Sequence, residues 1–115
     1  MPTLEMQGSY DLNNDSIDIT VTRTAPGNYA LGYISKNRKF VVKYVGRSDN
    51  DLNGRIHQHV DSYERFKYSY ATSPKAAFEK ECQNYHDFFE NLDNENHPDR
   101  PDDSNWSCPH CSIFD

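Results

Sequence analysis

Two groups of residues in this chain have the types and spacing to do chemistry. In the first, Arg55 and His59 are four residues apart, so on a helix their side chains stand one above the other, and Tyr44 ends the stretch just before them. A planar fork of donors beside a phenol and a proton carrier suits an anion such as phosphate, against the plainer reading of a solvated helix face. In the second group, Cys82 and His86 are also four apart, and Cys108-Pro109-His110-Cys111 has the knuckle spacing that lets two thiolates reach one tetrahedral ion. Cys82, His86, Cys108 and Cys111 together make a closed and therefore structural Cys₃His zinc set. His110 or His97 is an alternative to His86, and a redox pair is the alternative for Cys108 and Cys111.

The elements that must carry these groups follow from the pattern around them. Val41, Val42, Tyr44 and Val45 read as a strand that Gly46 breaks. Asp49 or Asp51 then caps a helix reaching Tyr63, with Leu52, Ile56, Val60 and Tyr63 as its buried stripe. Asn28 to Ile34 and Phe40 to Val45 form a hairpin around the basic loop Ser35-Lys36-Asn37-Arg38-Lys39, which places Tyr29 and Tyr44 on paired strands. Ile17 to Thr22 alternates as an edge strand does, and Phe66 to Ala71 reads as a third strand of the sheet. Ser73-Pro74 opens a helix running to about Phe89. Residues 1–16, polar and rich in Asn, Asp and Gly, predict a flexible start. Residues 17–90 form the folded domain, and 91–115 an acidic tail that the zinc fastens to the last helix, with Trp106 packed over the site.

At 115 residues, with 35% hydrophobic residues and eight tyrosines, the chain has room for one small core. No apolar run approaches the roughly 20 residues that span a bilayer, and the start lacks the basic and apolar parts of a signal peptide, so a soluble, cytoplasmic protein is expected. The net charge of −6 is unevenly spread. Residues 1–20 hold four acids and no base (−4), residues 21–86 eleven bases against six acids (+5), and residues 87–115 one base against eight acids (−7). A basic middle can meet a polyanion even in an acidic chain, because screening confines each charge to about 8–10 Å.

Gly27-Asn28-Tyr29, then Tyr44-Val45-Gly46-Arg47-Ser48, then Arg55 and His59, then a helix bearing Ala76, Ala77 and Glu81, form an ordered set that resembles the GIY-YIG nuclease family over roughly residues 26–90. The resemblance implies an α/β layer of the α+β kind, a three-stranded antiparallel sheet with flanking helices. It further implies hydrolysis of a DNA phosphodiester with one divalent cation, Mg²⁺ or Mn²⁺. Asn28 stands in the middle of the first motif, and the gap from Tyr29 to Tyr44 is wide for the family; Tyr33 is a rival for the first tyrosine.

By this resemblance Arg55 binds the phosphate, Tyr29 and Tyr44 hold or activate the attacking water, and His59 assists proton transfer. The cation needs a carboxylate. Glu81 shares its helix face with Ala77, Tyr85 and Phe88, whereas Glu79 lies about 200° away, so Glu81 is the expected ligand and an ion pair with Arg55 its alternative role. An amide from Asn94 or Asn96 is a further candidate. Lys36, Arg38, Lys39 and Arg47 are the expected phosphate contacts. The function expected is that of a DNA endonuclease, directed by DNA structure in repair or recombination or guided by a protein partner, since no second DNA-reading module is present. The rival is a zinc-stabilised module that binds nucleic acid or protein without chemistry.

Overall fold

The computed structural model describes residues 4–94, 97–100 and 104–113. In chain order the elements are β1 (Gln7–Asp11), α1 (Asn14–Thr20), β2 (Gly27–Ile34), β3 (Phe40–Ser48), α2 (Leu52–His57), β4 (Arg65–Tyr70) and α3 (Pro74–Phe88), the last continued by a 3-10 turn over Phe89–Asn91. The strands form one antiparallel sheet in the order β1-β4-β2-β3. The fold is thus α+β, with four strands where three were expected.

The N-terminal segments depart from their sequence pattern. Ile17 to Thr22 is not a strand, because α1 covers Asn14–Thr20 and the Asn13 side chain caps it by accepting from the Ser16 N–H at 2.7 Å. A strand would bury Ile17 and Ile19 together, whereas the helix buries Ile17 and leaves Ile19 79% exposed. The Asn-Asn-Asp-Ser cap outweighs the β-branched alternation. Within the start expected to be flexible, Gln7–Asp11 pairs with β4, and Leu4 and Leu12 are buried beside it. This strand lacks apolar alternation. Its partner's edge supplies the hydrogen bonds, and the Tyr10 ring packs on Phe66 with centroids 5.6 Å apart. Met1–Thr3, also part of that expectation, lie outside the described residues.

β2 runs through the centre and is covered on both faces. Tyr29 and Leu31 join Ile17, Val21, Leu52, Ile56 and Phe66 on the side of α1 and α2. Ala30 joins Val42 and Val45 on the side of α3, under Tyr85 and Phe88. α2 is shorter than its apolar stripe implied. Asp51 caps it through the Gly54 N–H at 3.2 Å, and after His57 tight turns take over, with His59 N–H bonding Ile56 C=O at 3.0 Å. Val60 and Tyr63 still pack on the core from those turns. α3 begins as its sequence indicates, with Ser73 Oγ accepting from the Ala76 N–H at 3.1 Å and Pro74 at the first position. Among the described residues, no helix is long and apolar enough to cross a membrane.

Candidate active site and metal centre

The hairpin sets the first site. Tyr29 on β2 lies opposite Gly46 on β3, and a Cβ at residue 46 would stand 2.4 Å from both Cζ and Oη of Tyr29. The absent side chain is what lets the phenol cross β3 and reach the edge of the sheet. There its ring stacks with Tyr44, centroids 6.4 Å apart, and its Oη lies 3.0 Å from His59 Nε2. Burial, with the neighbouring Tyr44 and Glu81, pushes the Tyr29 phenol far above its ordinary value, and burial likewise raises Tyr44. Burial and the Arg55 charge lower His59. A protonated phenol and a neutral imidazole therefore face each other.

From the other face of β3 come Arg47 and Glu81. Arg47 has the parity of Val45 and so points toward α3, where its guanidinium lies over the Phe78 ring at 5.1 Å. Nη1 donates to Glu81 Oε1 at 2.6 Å and Nε to Asp49 Oδ1 at 2.9 Å. Burial pushes the Glu81 carboxyl up, and the Arg47 charge pulls it back. Tyr29, Tyr44, Gly46, Arg47, Asp49, Arg55, Glu81 and Asp99 line one cleft of about 200 Å³. The structure thus brings Tyr29, Tyr44, Arg55 and Glu81 together, with His59 behind Tyr29. Arg55 is exposed and, among the described residues, makes no ion pair.

Other sequence candidates stand elsewhere. Arg47, expected as a free phosphate contact, is the partner of Glu81, a place considered for Arg55 as an alternative role. Lys36, Arg38 and Lys39 sit at the hairpin tip, beyond Ile34, and five strand residues at ~3.3 Å put that tip about 17 Å from Tyr29. Tyr33, at the same far end, is 42% exposed and outside the cleft that Tyr29 lines. Asn94 is not in the cleft either: its amide accepts from the Val45 N–H at 3.0 Å and donates to the Val45 C=O at 2.9 Å, closing the free edge of β3. Asn96 lies outside the described residues. Asp99 was missed, because no local pattern marks a tail residue that returns to a cleft.

The second site corrects the ligand set. His86, His97, Cys108 and Cys111 present ligand atoms that all lie within 4.8 Å of one another, a cluster that can hold a metal ion such as zinc. Cys82 is not among them. It is four residues from His86 on α3, about 6 Å along the axis, and packs with Phe78, Trp106 and Cys108 in a small apolar cluster. Burial and the neighbouring Cys108 raise the Cys82 thiol above its ordinary value. The chain folding back after α3 brings His97 instead. Trp106 packs at a tilt on Phe78, centroids 5.7 Å apart.

No family model, no curated protein and no solved structure matches this chain.

Proposed function

We propose that this chain is a metal-dependent DNA endonuclease of the GIY-YIG kind. The observation that carries the reading is the convergence of Tyr29, Tyr44, Arg55 and Glu81, from the four elements β2, β3, α2 and α3, on one polar cleft. Arg55, exposed and unpaired by any carboxylate among the described residues, binds the scissile phosphate and stabilises charge on its oxygens. Tyr44 and Tyr29 orient the attacking water, and neutral His59 accepts the proton that Tyr29 relays.

A hard carboxylate oxygen suits Mg²⁺ or Mn²⁺, and Arg47 bonds to Glu81 through Oε1, so the second oxygen is the group this chain offers to the cation. When bound, the cation supplies neutralisation of charge at the phosphoryl group. Zn²⁺ at the Cys/His cluster is structural, since four protein donors leave it no open position. Target choice comes from DNA structure or from a partner protein.

A second reading has its own observation. The Arg47–Glu81 pair at 2.6 Å satisfies the carboxylate without a cation, which favours a silent module that binds nucleic acid or protein. Nicking of supercoiled plasmid and cleavage of branched or flapped duplexes, in Mg²⁺ or Mn²⁺ and in chelator, separates the two. The nuclease cuts in the presence of the cation alone, and a silent module cuts nothing.

A further inference from the structure

Three of the six ligand-to-ligand distances in the Cys/His cluster match the edges of a tetrahedral ion's ligand shell, and all six lie within 4.8 Å. Tetrahedral zinc with bonds of ~2.0–2.1 Å to nitrogen and ~2.3 Å to sulfur gives ligand-to-ligand edges of about 3.3–3.8 Å. The two Nε2 atoms of His86 and His97 are 3.3 Å apart, Cys108 Sγ is 3.5 Å from His86 Nε2, and Cys111 Sγ is 3.3 Å from His97 Nε2. His97 Nδ1 lies 2.8 Å from the Pro98 carbonyl, so Nδ1 carries the proton and Nε2 presents a lone pair to the cluster. Two imidazole nitrogens and two sulfurs converging in this way make a donor set that suits zinc.

The same cluster is joined through the chain to one wall of the cleft. His97 is two residues before Asp99, the tail carboxylate on the cleft wall. On the other side, Arg100 Nη1 donates to the Trp106 carbonyl at 2.6 Å, and Trp106 packs on Phe78, the ring on which Arg47 also lies. The segment His97–Arg100 is therefore held at both ends by residues whose own anchorage is the Cys/His cluster and the Phe78 ring. With Asp99 in place the lining holds three carboxylates, of Asp49, Glu81 and Asp99, against two guanidinium groups.

We propose that His86, His97, Cys108 and Cys111 bind one zinc ion and that this ion, by holding His97, seats Asp99 on the wall of the Tyr29/Glu81 cleft, so that zinc occupancy governs the cleft. The regulatory part rests on the reading of that cleft as the active site. Asp99 is a positioned wall charge, and zinc is its positioning device.

The test has two arms on the full chain. Cobalt exchanged for zinc is expected at one ion per chain, with tetrahedral d–d bands and a thiolate charge-transfer band. Cys82→Ser is expected to keep that spectrum and Cys111→Ser to lose the intensity of one thiolate; an octahedral spectrum, or loss on Cys82→Ser, overturns the ligand set. In the second arm, the ring resonances of labelled Tyr29 and Tyr44 are followed with zinc bound and removed, in wild type and in Asp99→Asn. Removal of zinc is expected to shift them in wild type as Asp99→Asn does, and to add little in Asp99→Asn. Equal shifts in both proteins would mean that the coupling runs along α3, and Asp99 would have no part in it. If the stripped chain loses the Tyr68 core signal, Cys111→Ser with and without Asp99→Asn makes the same comparison with three ligands retained. Absence of cleavage on every DNA would remove the nuclease reading and with it the regulatory role, whereas the zinc site and the coupling of Asp99 to the cleft are judged by the two arms alone.

Discussion

The Tyr29 ring occupies the space above Gly46, with its Oη 2.4 Å from where a Cβ at residue 46 would stand. This contact across the hairpin explains why the Tyr-Val-Gly run needs its glycine. Gly46→Ala is expected to displace the phenol from the cleft and to cost ~1–3 kcal/mol by overpacking. Urea unfolding and plasmid nicking of the variant check this. Unchanged stability with full activity would show that the ring moves aside freely.

Arg47 and Arg55 line the same cleft with opposite dependencies. Arg47→Ala leaves the Glu81 carboxylate buried without its partner and is expected to cost about 3–5 kcal/mol. Arg55→Ala, on an exposed side chain, is expected to stay within about 0.5 kcal/mol in stability while cleavage falls by about 10²–10³. Equal destabilisation by the two would contradict the assignment of the ion pair.

His59 gives the cleft a pH signature. Its folded value lies below the ordinary 6.5, through burial and the Arg55 charge. The unfolded chain therefore binds the proton more readily, and this group's contribution falls as pH is lowered through 6.5 toward the depressed folded value. Unfolding titrations across that window should show stability rising with pH, with a smaller slope in His59→Gln. An identical slope would mean that His59 is not held neutral.

Asn94 replaces a missing strand at the β3 edge. Asn94→Ala removes both bonds to the Val45 peptide group and should cost ~1–3 kcal/mol, with faster amide exchange at Val45. Exchange at Val45 equal to wild type would show that the tail does not close this edge.

The hairpin, with Tyr29 and Tyr44 on its paired strands, and the Ser73-Pro74 start of α3 were legible because register and capping act over short distances, whereas Glu81 was placed beside the tyrosines by the family resemblance and its helix face. The apolar pattern misled where capping competed with it, at Ile17 and Ile19. Arg47 was read as a surface cation because the strand was ended at Val45; β3 runs to Ser48, and its alternation turns Arg47 inward to Glu81. Cys82 was preferred to His97 because helix spacing is visible and a chain reversal is not. The same holds for Asp99, whose place depends on how the tail returns over α3.

The most direct measurement is single-turnover nicking of supercoiled plasmid in Mg²⁺ or Mn²⁺ by wild type, Glu81→Gln and Arg55→Ala, each shown to be folded and to hold its zinc. The account predicts cleavage by wild type that chelator abolishes, none by Glu81→Gln, and a large rate loss for Arg55→Ala. A Glu81→Gln protein that nicks as fast as wild type would contradict it, and a wild-type protein that cuts no DNA would leave the cleft as a binding site alone.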